Sequence, residues 1–207
     1  MTMGKQIKID YLSTAKLVLE DEGKAILHLN NVLDEKFNRL CENIQDSSGR
    51  VIFIGVGKSY IVGQKAAASM ASLGTPALCV HASDAVHGDM GMVTKEDITI
   101  LISHSGESKE IIYLLPFIKR IGTFTVALVG NPHSTLAKSC DMFLDTGVRN
   151  EASPIPYAPS VSTLTTQALC DGLAITLAIA RGFNEKDFYH FHPGGHIGEV
   201  LSKKQQS

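Results

Sequence analysis

Ile98-Thr-Ile-Leu-Ile-Ser-His-Ser-Gly-Glu-Ser-Lys-Glu-Ile-Ile-Tyr-Leu-Leu115 sets the architecture of the chain. A short β-branched apolar run is followed by Ser103-His-Ser-Gly-Glu-Ser108 and then by apolar residues at helical period. A strand therefore delivers three hydroxyls and a glycine to the start of a helix. The first backbone N–H groups of a helix have no partner within it, and the helix dipole is positive there, so such a start attracts anions. Ser103, Ser105 and Ser108 can add hydroxyl donors, and Gly106 lets the backbone approach a ligand. Read alone, the same residues also describe a serine-rich helix cap.

Outward from this stretch the pattern repeats. Val51–Gly55, Ala77–His81, Ile98–Ser103, Phe124–Val129 and Met142–Leu144 read as strands, with helical patterns at Ile61–Leu73, Lys109–Ile121 and Ser134–Ser139. The strand runs are continuously apolar rather than alternating, as in a parallel sheet covered on both faces. Alternating strands and helices predict an α/β fold, a doubly wound three-layer sandwich around a five-stranded parallel sheet of flavodoxin or Rossmann type. Helical spacing through Leu12, Leu19, Ile26, Leu29, Leu33 and Leu40 predicts two helices ahead of the first strand. The 207 residues then form a single domain, with the N-terminal helices in 1–48 and the α/β core and C-terminal helices in 49–202. Pro154, Pro156 and Pro159 exclude regular structure from a loop at 149–166, which leads into a helix from Leu164 to Arg181. Long loops in compact domains are often functional. Lys203 to Ser207 read as a frayed tail.

Composition narrows the function classes. A net charge of −2 with dispersed Lys and Arg argues against a nucleic-acid surface. The N-terminus lacks the apolar core of a secretion signal, and no apolar run is read as spanning a membrane. The four cysteines, Cys41, Cys79, Cys140 and Cys170, lie far apart without metal-ligand spacing, as reduced core thiols would. The expected compartment is the cytoplasm.

Gly55-Val-Gly57-Lys58-Ser59 invites two nucleotide-binding readings, and both fail. A P-loop needs glycine where Ile52 stands, and a dinucleotide fingerprint needs glycine or alanine where Tyr60 stands. What remains is a strand ending in a glycine turn that presents Lys58 and Ser59 at a helix start. Lys58 then faces a phosphate or an enolate, or is a surface lysine. Glu107 and Glu151 fall at or near strand ends, as proton-transfer groups or as solvated helix-start carboxylates. His87 sits in a polar loop, where a surface histidine is equally at home. His190, His192 and His196 cluster, but no matched carboxylate or cysteine spacing supports a metal site. The turn His192-Pro-Gly-Gly195 suits one imidazole held in place as an acid or base.

Together these blocks resemble the sugar isomerase (SIS) domain, and within it the D-arabinose 5-phosphate isomerases. The resemblance rests on Gly55–Ser59, on His87-Gly-Asp-Met-Gly-Met-Val93 and on Ser103–Ser108. It also rests on Glu151-Ala-Ser-Pro154 with Ala158-Pro-Ser160 and Ser162-Thr163, and on Arg181-Gly-Phe183 with His192–Gly195. The chain departs from that pattern at His104, where Asn is common, at Ser153, where Cys is common, and at Tyr60-Ile61. Many members continue into a pair of CBS modules; this chain ends at Ser207 and is expected to be a stand-alone catalytic domain.

The resemblance implies interconversion of D-arabinose 5-phosphate and D-ribulose 5-phosphate through a cis-enediol, feeding synthesis of Kdo for lipopolysaccharide or capsule. It implies a catalytic set of Lys58, Glu107, Glu151 and His192. The expected substrate-binding residues are Gly57, Ser59, His87, Ser103, His104, Ser105, Ser108, Ser162 and Thr163. No cofactor and no metal are expected. The expected partners are a sugar phosphate, a further copy of the chain in a homotetramer or dimer, and CMP-Kdo as a feedback ligand. A non-catalytic phosphosugar-binding regulatory module and an isomerase of another sugar phosphate are the alternatives.

Overall fold

Five apolar runs become strands β1 (Val51–Gly55), β2 (Ala77–His81), β3 (Ile98–Ile102), β4 (Phe124–Val129) and β5 (Met142–Asp145). The computed structural model describes residues 9–155, 157–196 and 200; Pro156 and the tail read at Lys203 to Ser207 lie outside them. The strands form one parallel sheet in the order β2-β1-β3-β4-β5. Every residue of β1 and β3 is buried, which is why these strands show no polar alternation.

Alternate residues of a strand face opposite sides of the sheet, and the core splits accordingly. Val51 and Phe53 of β1 join one cluster with α1 (Tyr11–Val32), α2 (Glu35–Asp46), α3 (Lys58–Ser72) and α7 (Val161–Ala180). Ile52 and Ile54 join the other with α4 (Ala82–Ala85), α5 (Lys109–Ile121) and α6 (Thr135–Ser139). The expected three layers and the two leading helices are therefore present. The short α4, a 3-10 turn at Asp89–Met92 and α8 (Glu185–Phe191) are absent from the sequence reading, because each is too short to show a period. α7 begins at Val161 rather than Leu164, so the proline-containing loop is shorter than its expected span. The 20 residues of α7 are long and apolar enough to cross a bilayer, contrary to the expectation from sequence. Its buried positions recur at helical spacing through Val161, Thr165, Leu169, Leu173 and Leu177, so one face is core.

The thiols fit the core reading. Cys41 and Cys170 are buried, and all four cysteines are unpaired. Burial pushes the Cys79 and Cys170 thiols up to about 12 and Cys140 to about 11, which leaves them inert at neutral pH.

The amino edge of the sheet is tied by Asp97, buried beside the start of β3. Its carboxylate accepts from Arg50 N at 2.7 Å, Thr94 N at 2.8 Å and Thr94 Oγ1 at 3.1 Å, with the Arg50 guanidinium at 3.3 Å. Burial opposes ionisation, but these donors outweigh it and hold the group below the usual carboxylate range. A depressed folded-state pKa stabilises the fold above the unfolded value near pH 4, and that contribution is lost as pH falls through the folded value. Asp97→Asn should lower the unfolding free energy by about 1–3 kcal/mol at pH 7. Denaturant titrations should show that difference shrinking below about pH 4; a difference independent of pH would contradict the assignment.

Candidate functional site

The winding of the sheet reverses between β1 and β3. The helix after β1, α3, joins one core cluster, and the helix after β3, α5, joins the other. Ligands in such sheets bind in the crevice this reversal opens at the carboxyl ends of the strands. A cleft of about 300 Å³ lies there. Lys58 and Ser59 reach it from the start of α3, and Ser103, His104, Ser105 and Ser108 from the turn into α5. Glu151 comes from the proline-containing loop, and Ser162, Thr163 and Thr166 from the first turns of α7. A larger open groove of about 590 Å³ crosses the opposite edge of the sheet, where no helix from a strand's carboxyl end begins.

Three helix N-termini converge on the cleft. Gly57 caps α3, Ser108 caps α5 and Ser160 caps α7, and none of the three makes a side-chain capping hydrogen bond. At α5 the serines brace the turn instead. Ser103 Oγ accepts from Gly106 N at 3.1 Å and shares a 2.8 Å hydrogen bond with Ser108 Oγ, while Ser105 Oγ accepts from Glu107 N at 3.1 Å. Gly106 is required on two counts. Its φ is +68°, and a Cβ there would collide with Ser134 Oγ. Its carbonyl also accepts from Leu136 N at 3.1 Å, which locks the turn against α6.

Lys58 is exposed and takes part in no ion pair among the described residues. At α7 the free N–H groups are held by Glu151. Its Oε2 accepts from Ser160 N at 2.9 Å, Ser160 Oγ at 3.1 Å and Ser162 N at 3.1 Å. Burial favours the neutral acid, but the Ser162 and Ser160 donors prevail and hold Glu151 below its ordinary range. It is a carboxylate at neutral pH, aimed by a helix start.

Three expected site residues are placed elsewhere. Glu107 points away from the cleft, where its Oε1 accepts from Thr135 N at 2.7 Å at the start of α6. That bond lowers its pKa; an exposed carboxylate is drawn to free N–H groups, and the nearest ones belong to α6. His87 is exposed between α4 and the 3-10 turn and does not line the cleft.

His192 follows α8 at the far end of the molecule. α7 begins beside Glu151 and runs 20 residues, about 30 Å at 1.5 Å per residue. Just past its end, Arg181 bonds to Gly74 O at 3.1 Å and Thr75 Oγ1 at 2.6 Å, at the amino edge of the sheet. Phe183 packs on Gly74 and stacks on Phe191, and His192 stacks on Phe188 with Nδ1 2.9 Å from Phe188 O. In one chain His192 does not meet Lys58. No three His, Cys, Asp or Glu side chains converge among the described residues.

Residues 44–176 match the SIS domain family. This chain belongs to that family. It is 43% identical over 202 residues to the Pseudomonas aeruginosa arabinose 5-phosphate isomerase KdsD, spanning 98% of this chain and 62% of that one. Identity to the Yersinia pestis protein of the same name is 42% over 200 residues, or 97% and 61% of the two chains. The chain thus spans about three fifths of the length of these curated relatives. An E. coli CFT073 protein solved in complex with arabinose 5-phosphate superposes with a TM-score of 0.86 at 39% identity, covering 91% of this chain and 100% of that one.

Thr166, Tyr157 and Pro159 also line the cleft, beyond the residues expected from sequence. Thr166 was legible, standing one helical turn after Ser162. Tyr157 carries no sequence signal beyond its place in the loop.

Gly106→Ala should be destabilised by about 1–2 kcal/mol from the left-handed backbone alone, with the Ser134 contact added. Calorimetry should show a lower Tm together with weaker binding of inorganic phosphate. Unchanged Tm and affinity would contradict the turn's role.

Proposed function

We propose that this chain interconverts D-arabinose 5-phosphate and D-ribulose 5-phosphate through a cis-enediol. The observation that carries the reading is the convergence, in one cleft, of the open α5 turn with Lys58 and the ionised Glu151. The name of the 43% identical Pseudomonas relative supports it. Phosphate binds the N–H groups and hydroxyls of Ser103–Ser108. The sugar then extends toward Lys58, whose ammonium stabilises negative charge on O1 or O2. Glu151 moves the carbon-bound proton between C2 and C1. Glu107 serves the site indirectly, by tying the phosphate turn to α6.

His192 reaches a cleft only from a neighbouring copy, where it is placed to handle oxygen protons or ring opening. Apolar faces able to bring copies together are present. On α1, Leu12, Leu17, Leu19 and Leu27 are 62–68% exposed, and on α7 Ile175 and Ile179 are 52% and 73% exposed. A homotetramer or dimer buries them. The product feeds the Kdo branch, for lipopolysaccharide or capsule, in the cytoplasm, and CMP-Kdo binds the same cleft as a feedback ligand.

NMR of the protein with D-arabinose 5-phosphate in D₂O should show ribulose 5-phosphate forming with deuterium entering at the C1/C2 positions. Binding without turnover or exchange would instead indicate a phosphosugar-sensing module. Coexpressed Glu151→Gln and His192→Asn chains should assemble into mixed oligomers with activity above either parent. A monomeric protein, or mixed oligomers without recovery, would remove the neighbour's His192 from the mechanism.

A further inference from the structure

The imidazole on the wall of the cleft is that of His104. Its main chain is fixed by the sheet: the preceding Ser103 N donates to Leu128 O at 3.1 Å, and His104 O accepts from Gly130 N at 2.8 Å. The ring lies over Gly130. A Cβ on Gly130 would collide with ring Cε1 and Nδ1, so only glycine at the end of β4 leaves the imidazole room. Neither ring nitrogen is hydrogen-bonded among the described residues, although the group shares the cleft with Lys58 and Glu151. A histidine seated this closely and left without a protein partner is available to a ligand.

We propose that His104 is a catalytic residue of this chain, carrying the proton between O1 and O2 of the enediol and leaving ring opening to the neighbour's His192; the proposal rests on the isomerase reading above. Glu151 takes the proton from C2 of the aldose, and the C2–H pair moves into the C1–C2 bond as C1=O1 opens to an oxyanion beside Lys58. Neutral His104 accepts the O2 proton at one ring nitrogen, and the imidazolium returns a proton to O1. The O2 electron pair re-forms a carbonyl at C2, and C1 takes its proton from protonated Glu151. Both side chains return to their starting states, and one aldose has become one ketose.

The surroundings set the protonation state. Partial burial on the cleft wall lowers the His104 pKa first of all; the Glu151 carboxylate raises it, Arg149 lowers it and Asp145 raises it. Lys58 also lines the cleft. The imidazole is therefore neutral and able to accept a proton at pH 7, and it loses that capacity as pH falls through its depressed pKa. Glu151 is held below 4.5 by the Ser162 and Ser160 donors.

The test compares kcat against pH for the wild type, His104→Asn, His104→Ala and His192→Asn, with inorganic phosphate affinity as a control for the phosphate turn. The expected result is a fall in kcat of about 10²-fold for His104→Asn, with phosphate affinity within about twofold and the limb below pH 6.5 that belongs to the imidazole abolished. Added imidazole should partly restore His104→Ala, which a merely structural role would not allow. A wild-type profile in His104→Asn, no rescue by imidazole, or loss of the limb only in His192→Asn would each overturn the proposal. A wild type that does not turn over would overturn the isomerase reading itself.

Discussion

Neighbouring parallel strands whose crossover helices leave on opposite faces cannot close the space above their carboxyl ends. In this chain that pair is β1 and β3, and much of the site follows from it. α3 and α5 diverge from the gap, so their first turns point unsatisfied N–H groups into it rather than into a neighbour. The core on either side makes the gap rigid. Phe53, Ile52 and Ile54 beneath it are fully buried, each contributing roughly 1.5–3 kcal/mol, and the strand ends cannot drift together to fill the space.

The third helix start in the cleft is treated differently, and that difference gives the site a polarity. Glu151 occupies the N-terminus of α7 with an internal carboxylate, and an anion approaching α7 meets a charge of its own sign. No carboxylate caps the starts of α3 and α5 in this way, although Glu110 lies in the first turn of α5, and Lys58 opens α3. A phosphorylated ligand is thus steered toward α5, leaving its far end beside Lys58, Glu151 and His104. The same hydrogen bonds that aim Glu151 also weaken it as a base. A carboxylate with a depressed pKa binds a proton less readily, and its basicity rises only when the carbon acid approaches or the Ser160 donors shift.

Much of this was legible in the sequence. β1, β2 and β4 coincide with their apolar runs, and β3 and β5 differ from theirs by one residue at the close; in β1 and β3 burial on both faces leaves an unbroken apolar run. The serine turn was legible because its hydroxyls sit at the junction of a strand run and a helix period. The placements of Glu107, His87 and His192 were not. Glu107 belongs with the cleft by its position between Gly106 and Ser108, but a side chain in a turn follows the nearest free donors, and these belong to α6. His192 groups with the other expected catalytic residues by motif, yet motif order carries no distance, and the length of α7 sets it apart from them. The sequence marks His104 only as a contact residue; the close approach of Gly130, 26 residues away in sequence, shows how its ring is seated.

On the proposed reading, the α5 turn at the β1–β3 gap holds the phosphate and orients the sugar toward Lys58. A crystal structure of the protein with D-arabinitol 5-phosphate, which has no carbonyl to isomerise, tests this placement. The expected result is phosphate oxygens within about 3.2 Å of the backbone N–H groups in the 105–109 turn, with the C1 and C2 hydroxyls toward Lys58 and His104. Phosphate seated at the start of α7, or in the groove along the amino edge of the sheet, would contradict the account.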